Sequence, residues 1–217
     1  MHIPTSFVSL AFLVSAILVN PSSAAPEIDE EFQKVTCGSS VKISNEKSGV
    51  RLHSHSIPYG SGSGQQSVTA TPTKDDPNSL WLVMAQDGHT CNRGESVPCG
   101  ATIRLKHVNT KKHLHSHHHS SPMSGGLEVS AYDGSDSGDD WTIECVNKSA
   151  KFWMRESDIR LKHVNTDRYL STSSQFVFGN PIPGQQEVAA HSLNQQGDQT
   201  WSAQEGIYFA EEVKQEL

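Results

Sequence analysis

The chain has 217 residues, with 24 acidic against 17 basic side chains and a net charge of −7. An acidic chain without a basic stripe is a poor partner for a polyanion, which excludes nucleic acid as a ligand. Its length suits one all-β domain of barrel or sandwich type behind a leader.

The leader comes first. Residues 7–19, FVSLAFLVSAILV, form an uncharged apolar run, followed by Pro21 and the small residues Ser22, Ser23, Ala24 and Ala25. This reads as a secretory signal peptide over residues 1–24, although no Lys or Arg precedes the apolar core. The run is shorter than the roughly 20 residues of a membrane helix. No later stretch approaches that length, so the mature chain is expected to be soluble, without a membrane span. Four cysteines on a secretory route imply disulfides.

Behind the leader the chain repeats itself. IRLKHVNT occurs at 103–110 and again at 159–166, 56 positions apart, with a degenerate version, VKISNEKS, at 41–48. Each run is followed at a fixed distance by a leucine: Leu52 and Leu114, which head Leu-His-Ser-His, and Leu170, which heads Leu-Ser-Thr-Ser. A glycine-bearing loop then leads into SGQQSVTA (63–70), SGGLEVSA (124–131) or PGQQEVAA (183–190). Each copy closes on a tryptophan: Trp81, Trp141 and Trp201. The copies span 34–90, 96–150 and 152–208, with an acidic tail at 209–217.

Within each copy the short segments alternate apolar and polar residues, the period of a half-buried strand, which predicts about four strands per copy. Three copies are too few for a propeller. A closed barrel with threefold pseudo-symmetry removes every free edge, so the expected fold is a β-trefoil of about twelve short strands. Val41, Ile103 and Ile159 are expected in one core layer, Leu52, Leu114 and Leu170 in a second, and the tryptophans on a third. The first and last strands of a trefoil unit lie close together. That favours Cys37–Cys91 and Cys99–Cys145 among the three possible pairings; the third copy has no cysteine.

Residues that resemble chemistry are few. His113, His115, His117, His118 and His119 invite a zinc reading, but a structural zinc site wants cysteine or a fourth ligand from elsewhere. The histidines read first as a repeat element, and no metal or other cofactor is expected. The acidic loop from Asp133 to Asp140 lacks the calcium-loop spacing and reads as a solvated hairpin tip. No nucleophile elbow or recurring carboxylate pair is visible, so the chain is not expected to be an enzyme. Asn147-Lys148-Ser149 is a glycosylation sequon.

The Leu-His-Ser-His, Ser-Gly-x-x-x-Val and closing-tryptophan landmarks resemble the MIR motif. TCGSSVKI, VRLHSHSIPYGSGSGQQSVT, IRLKHVNT, LHSHHHSSPMSG and EVSA together resemble the stromal cell-derived factor 2 family, from about Val35 to Phe209. Lys214, Gln215, Glu216 and Leu217 resemble a KDEL-type retrieval signal with Gln in place of Asp. The resemblance implies residence in the endoplasmic reticulum lumen, with secretion as the alternative if KQEL retrieves weakly. It also implies a chaperone complex with a lumenal J-domain co-chaperone, BiP and unfolded clients, serving protein quality control and the unfolded-protein response. A glycan-binding module for O-mannosylated proteins is the alternative function. The expected partner-binding residues are Arg51, His53, Tyr59, Gln65 and Gln66 in copy one with His115 and His117 in copy two, since Arg and aromatic side chains favour interfaces.

Overall fold

A computed structural model describes residues 28–211. The leader and the KQEL segment lie outside them. Among the described residues a 3₁₀ turn, Glu30–Phe32, leads into twelve strands with two more such turns between them: β1 Ser40–Asn45, β2 Arg51–Pro58, β3 Gln66–Thr71, β4 Leu80–Ala85, β5 Thr102–His107, β6 His113–Ser120, β7 Leu127–Tyr132, β8 Trp141–Cys145, β9 Ile159–His163, β10 Tyr169–Val177, β11 Gln186–His191 and β12 Trp201–Ile207. Among the described residues no helix is long and apolar enough to cross a membrane.

The pairing closes a ring. β1 pairs β12, β12 pairs β9, β9 pairs β8, β8 pairs β5, β5 pairs β4, and β4 returns to β1, all antiparallel. The other six strands form three hairpins, β2–β3, β6–β7 and β10–β11, whose inner strands β3, β7 and β11 pair with one another over one end of the barrel. A six-stranded barrel capped by a triangle of hairpins is the β-trefoil.

Alternation fills the barrel. Along β8, Trp141, Ile143 and Cys145 are buried while Thr142 and Glu144 between them are partly exposed. Leu52, Leu114, Leu170 and the three closing tryptophans are fully buried. The tryptophans do not form a separate third layer, however. Register sets Trp81 opposite Val41, Trp141 opposite Ile103 and Trp201 opposite Ile159. Each tryptophan also faces the next copy, opposite His107, His163 and Asn45 respectively. Cross-strand partners share one face of the sheet, so each indole packs at the level of its opposite residue and spans a seam between copies.

The three closing indoles find equivalent acceptors, whereas the Nε1 of buried Trp153 has none among the described residues. Trp81, Trp141 and Trp201 donate Nε1–H to the carbonyls of Leu52, Leu114 and Leu170, at 3.0, 2.9 and 2.9 Å. At the opposite end the barrel is shut by a ring of backbone hydrogen bonds whose residues bury their side chains in the core. Val35 N–H donates to the Trp153 carbonyl, Trp153 N–H to Val97, and Val97 N–H back to Val35, at 2.8, 2.8 and 3.0 Å. Trp153, outside the triplet of closing tryptophans, thus holds copy three's place in a second threefold set.

The disulfides are Cys37–Cys91 and Cys99–Cys145, with Cα separations of 6.2 and 5.6 Å. In copy three the place of Cys37 and Cys99 is taken by Arg155, whose guanidinium stacks 3.9 Å above the Tyr208 ring. A cation–π stack therefore stands where the other copies use a covalent bond. Replacing Trp141 by Ala removes a fully buried indole and leaves the Leu114 carbonyl unpaired, at a cost of about 3–5 kcal/mol. Urea unfolding followed by circular dichroism should show a loss of that size; a near-neutral result would contradict this placement.

Candidate functional site

The Leu-His-Ser-His strands turn their polar side chains inward. His53 Nδ1 lies 2.6 Å from Asp76 Oδ2, and its Nε2 lies 2.8 Å from His55 Nδ1. His55 Nε2 in turn reaches the Ser67 hydroxyl at 3.1 Å. Copy two builds a divergent version: His115 Nδ1 meets Asp139 Oδ1 at 2.9 Å, and His117 Nε2 meets Glu128 Oε1 at 3.0 Å. The hydroxyls of Ser54, Ser116 and Thr172, equivalent positions, donate to carbonyls of the neighbouring inner strand at 2.8, 2.9 and 2.8 Å. Buried polar groups must find partners, and here the motif's own residues supply them.

Most of the residues expected to bind a partner are therefore supports. Arg51, His53, Tyr59, Gln66 and His115 are 5–7% exposed. Arg51 forks onto the Glu205 carboxylate at 2.9 and 2.6 Å and bonds Ser44. The Tyr59 hydroxyl sits 2.9 Å from both the Val68 and Val129 carbonyls, joining two copies, and burial raises its pKa. Gln66 donates to Ser54 and to Thr110 across the same seam. Only Gln65 and His117 stay partly exposed. Arg51, His53, Tyr59 and His115 are held by their internal partners, while Gln66, with Gln65, borders the cleft between copies one and two. Asn147 is exposed in a turn where its Oδ1 accepts from Ser149 N–H.

The acidic loop also differs from the expected solvated tip. Asp139 is fully buried, and Asp136 caps the 3₁₀ turn Ser137–Asp139 in a reciprocal capping box. Arg104, 4% exposed, clamps the loop through Asp140 at 2.8 Å, Ser135 and the Asp136 carbonyl. His115, Asp136 and Asp139 do bring three ligand atoms within 4.8 Å of one another. Each carboxylate already accepts within the turn, Asp139 from His115 and the Asp136 N–H, Asp136 from the Gly138 N–H. The group is a cap for the turn.

Sequence reasoning missed the carboxylates that join the copies. Glu128 of copy two, 1% exposed, accepts from the Ser63 N–H and hydroxyl in the copy-one loop. Glu187 of copy three, 2% exposed, accepts from Met123 and Ser124 N–H in the copy-two loop, at 2.7 and 2.9 Å. Gly62 lies so close to Glu128 that a Cβ there would collide with the carboxylate, and its φ of +66° suits glycine alone. The only hint was an acid before the Val-x-Ala segment in copies two and three, where copy one has Ser67.

Burial also sets the charge states. It is the chief cause lowering His55 and His163 from the ordinary histidine value to about 4, and it lowers His107 and His191 as well. For Asp76 burial works upward, yet hydrogen bonds from Ser79 and His53 hold the carboxyl below its usual range. Glu128 behaves likewise under bonds from His117 and Ser63.

Open space lies between the copies. Clefts of about 520 Å³ and 510 Å³ open between copies one and two and between copies three and one. A smaller one of about 260 Å³ lies between copies two and three. Their walls are mainly amides, hydroxyls and glycines, groups that can meet a polar ligand and carry no obvious reaction chemistry.

The MIR domain signature matches residues 47–140. Human stromal cell-derived factor 2 is 47% identical over 179 residues, covering 81% of this chain and 82% of that protein. The chain belongs to the stromal cell-derived factor 2 family. Human stromal cell-derived factor 2-like protein 1 is 44% identical over 209 residues, covering 93% of this chain and 89% of the relative. The crystal structure of the stromal cell-derived factor 2-like protein from Arabidopsis thaliana superposes with a TM-score of 0.78 at 44% identity, covering 83% of this chain and 99% of that one. The same fold recurs in the protein O-mannosyltransferase Pmt1–Pmt2 complex of Saccharomyces cerevisiae, solved bound to its sugar donor. There the TM-score is 0.73 at 27% identity, over 84% of this chain and 27% of that one.

The buried histidines give this family member a pH-dependent stability. Between about pH 6.5 and pH 4 the unfolded chain binds protons that folded His55 and His163 do not, so stability falls as pH drops through that window. The lowered carboxyls Asp76 and Glu128 add losses as pH falls past their unfolded values of 3.8 and 4.5, so they join at the acid end of that window and continue below it. The urea midpoint should be lower at pH 5 than at pH 7, and His163→Asn, the residue that copy one carries at Asn45, should flatten that slope. A midpoint unchanged across the range would contradict the burial argument.

Proposed function

We propose that this protein acts without catalysis in the endoplasmic reticulum lumen, as a subunit of a chaperone complex with a J-domain co-chaperone and a BiP-type chaperone. The complex serves unfolded clients in protein quality control. The single observation that carries this reading is 47% identity to stromal cell-derived factor 2 across most of both chains. Two disulfides suit an oxidising compartment, and the apolar leader and KQEL end suit entry and retrieval. The absence of catalysis is supported by the engagement of the histidines and acids in structural hydrogen bonds.

A second reading, glycan binding, is favoured by the likeness to a mannosyltransferase complex and by the polar clefts between copies. Binding to a glycan array that persists without the co-chaperone would favour it over the first.

Affinity purification from lumenal extract, with and without ATP, should recover the J-domain protein and BiP. Recovery of neither overturns the chaperone reading. Fusing residues 214–217 to a secreted reporter should hold the reporter in the cell, whereas free secretion counts against retrieval.

A further inference from the structure

The third hairpin differs in kind from the other two. From Tyr169 to Gln186 the chain reads YLSTSSQFVFGNPIPGQQ, eighteen residues without one charged side chain or histidine, in a protein of net charge −7. The equivalent strands of copies one and two carry Arg51, His53 and His55, and five histidines from His113 to His119. In those copies the His53–Asp76 and His115–Asp139 pairs occupy the base of the hairpin. Copy three has Ser171 there, which bonds a backbone carbonyl of its own hairpin.

All three hairpins share a break in their ladder, after Ser54↔Val68, Ser116↔Val129 and Thr172↔Val188, and the third is one residue longer than the others. It leaves Ser173, Ser174, Gln175 and Phe176 without register partners on β11, and here alone no histidine stands in the gap. Beside this break lies the cleft of about 510 Å³ between copies three and one, with Ser173, Ser174, Gln175 and Gln186 on the hairpin wall, and with Asn45 and Ser48 beside the charged pair Lys47 and Asp198 on the rest of its lining. Its floor is held firmly. Thr172 and Asp198 exchange backbone hydrogen bonds at 3.1 and 2.8 Å, and Gly197 approaches so closely that a Cβ would lie 2.7 Å from the Thr172 oxygen. At the cleft's end the hairpin tip presents Val177, 45% exposed, between the half-buried Phe176 and Phe178, with half-buried Ile182 nearby.

We propose that this cleft and tip bind an extended, uncharged peptide segment with apolar side chains, of the kind an unfolded client exposes. The assignment rests on the chaperone reading above and gives it a place. Neutral amides and hydroxyls both donate and accept, so they match a peptide backbone in either direction. Backbone at the ladder break supplies an edge for strand addition, and pockets beside alternate residues give selectivity. Along the hairpin wall a charged segment would lose hydration without gaining a counter-charge. Lys47 and Asp198 elsewhere in the cleft offset each other, and the net charge of −7 disfavours an acidic segment. Exposed Val177 between two phenylalanines supplies the apolar contact.

The test uses the full mature chain and a fluorescein-labelled nine-residue peptide alternating Val or Phe with Thr, compared with a version carrying Glu at the Thr positions. Fluorescence anisotropy should show at least tenfold weaker binding of the Glu peptide. Val177→Asp and Ser174→Asp, both at exposed positions, should each weaken the neutral peptide at least tenfold while leaving the urea midpoint unchanged. Equal binding of the two peptides, equal binding by the variants, or displacement by mannotriose would overturn the assignment; the last would mean that the cleft takes glycan. Val177→Asp should still recover the J-domain protein from extract. Loss of peptide and co-chaperone together would overturn the assignment of this hairpin to clients. Failure of the unaltered protein to recover co-chaperone would instead remove the chaperone reading and leave the peptide measurement standing.

Discussion

Three indole N–H groups donating to three leucine carbonyls set the geometry on which the remaining contacts depend. An indole nitrogen buried without an acceptor is costly, so each closing tryptophan is held in one place relative to its own hairpin; Trp153, whose Nε1 has no partner among the described residues, bears that cost. The same ring reaches across a seam, meeting His107 and His163 in tilted contacts with centroids 5.0 and 4.8 Å apart in two of the three cases. Those histidines are fixed as neutral tautomers. Nε2–H donates to the Asn78 or Gly138 carbonyl, and Nδ1 accepts from Thr110 or Thr166. One donor thus ties the hairpin to the barrel, and one ring ties each copy to the next.

Around this shared frame the copies have diverged by exchanging one physical solution for another. Disulfides in copies one and two give way to the Arg155–Tyr208 stack in copy three. Glu128 and Glu187 grip the preceding copy's loop, whereas at the third junction Thr69 meets Gln185 and the carboxylate position is Ser67. The third hairpin has lost the imidazole–carboxylate pairs that brace the others.

The frame was legible in the sequence because it repeats. The eight-residue identity, the leucines, the valines and the closing tryptophans each mark a position that packing holds constant, and the cysteine pairing followed from the closeness of strands within a unit. Trp153 was also readable, at the same 56-residue offset from Val97 that separates the two IRLKHVNT runs, but its place among backbone partners carries no side-chain signature. The surface was less legible. Arg51, His53 and Tyr59 have the composition of interface residues, and composition alone cannot distinguish a group facing solvent from one facing a buried carbonyl. The depth of Asp139 was hidden for a related reason: its burial depends on Arg104, which lies 35 positions away in sequence and reaches the loop only once the barrel exists.

The backbone triangle of Val35, Val97 and Trp153 has a consequence for synthesis. Each corner comes from a different copy, and β1 finds its partner β12 only near the end of the described chain. No one or two copies can close the ring of strands, so a ribosome delivers most of the chain before the barrel can be complete. During that interval the nascent strands are themselves exposed apolar edges, in the same condition as the segments that a chaperone partner would recognise.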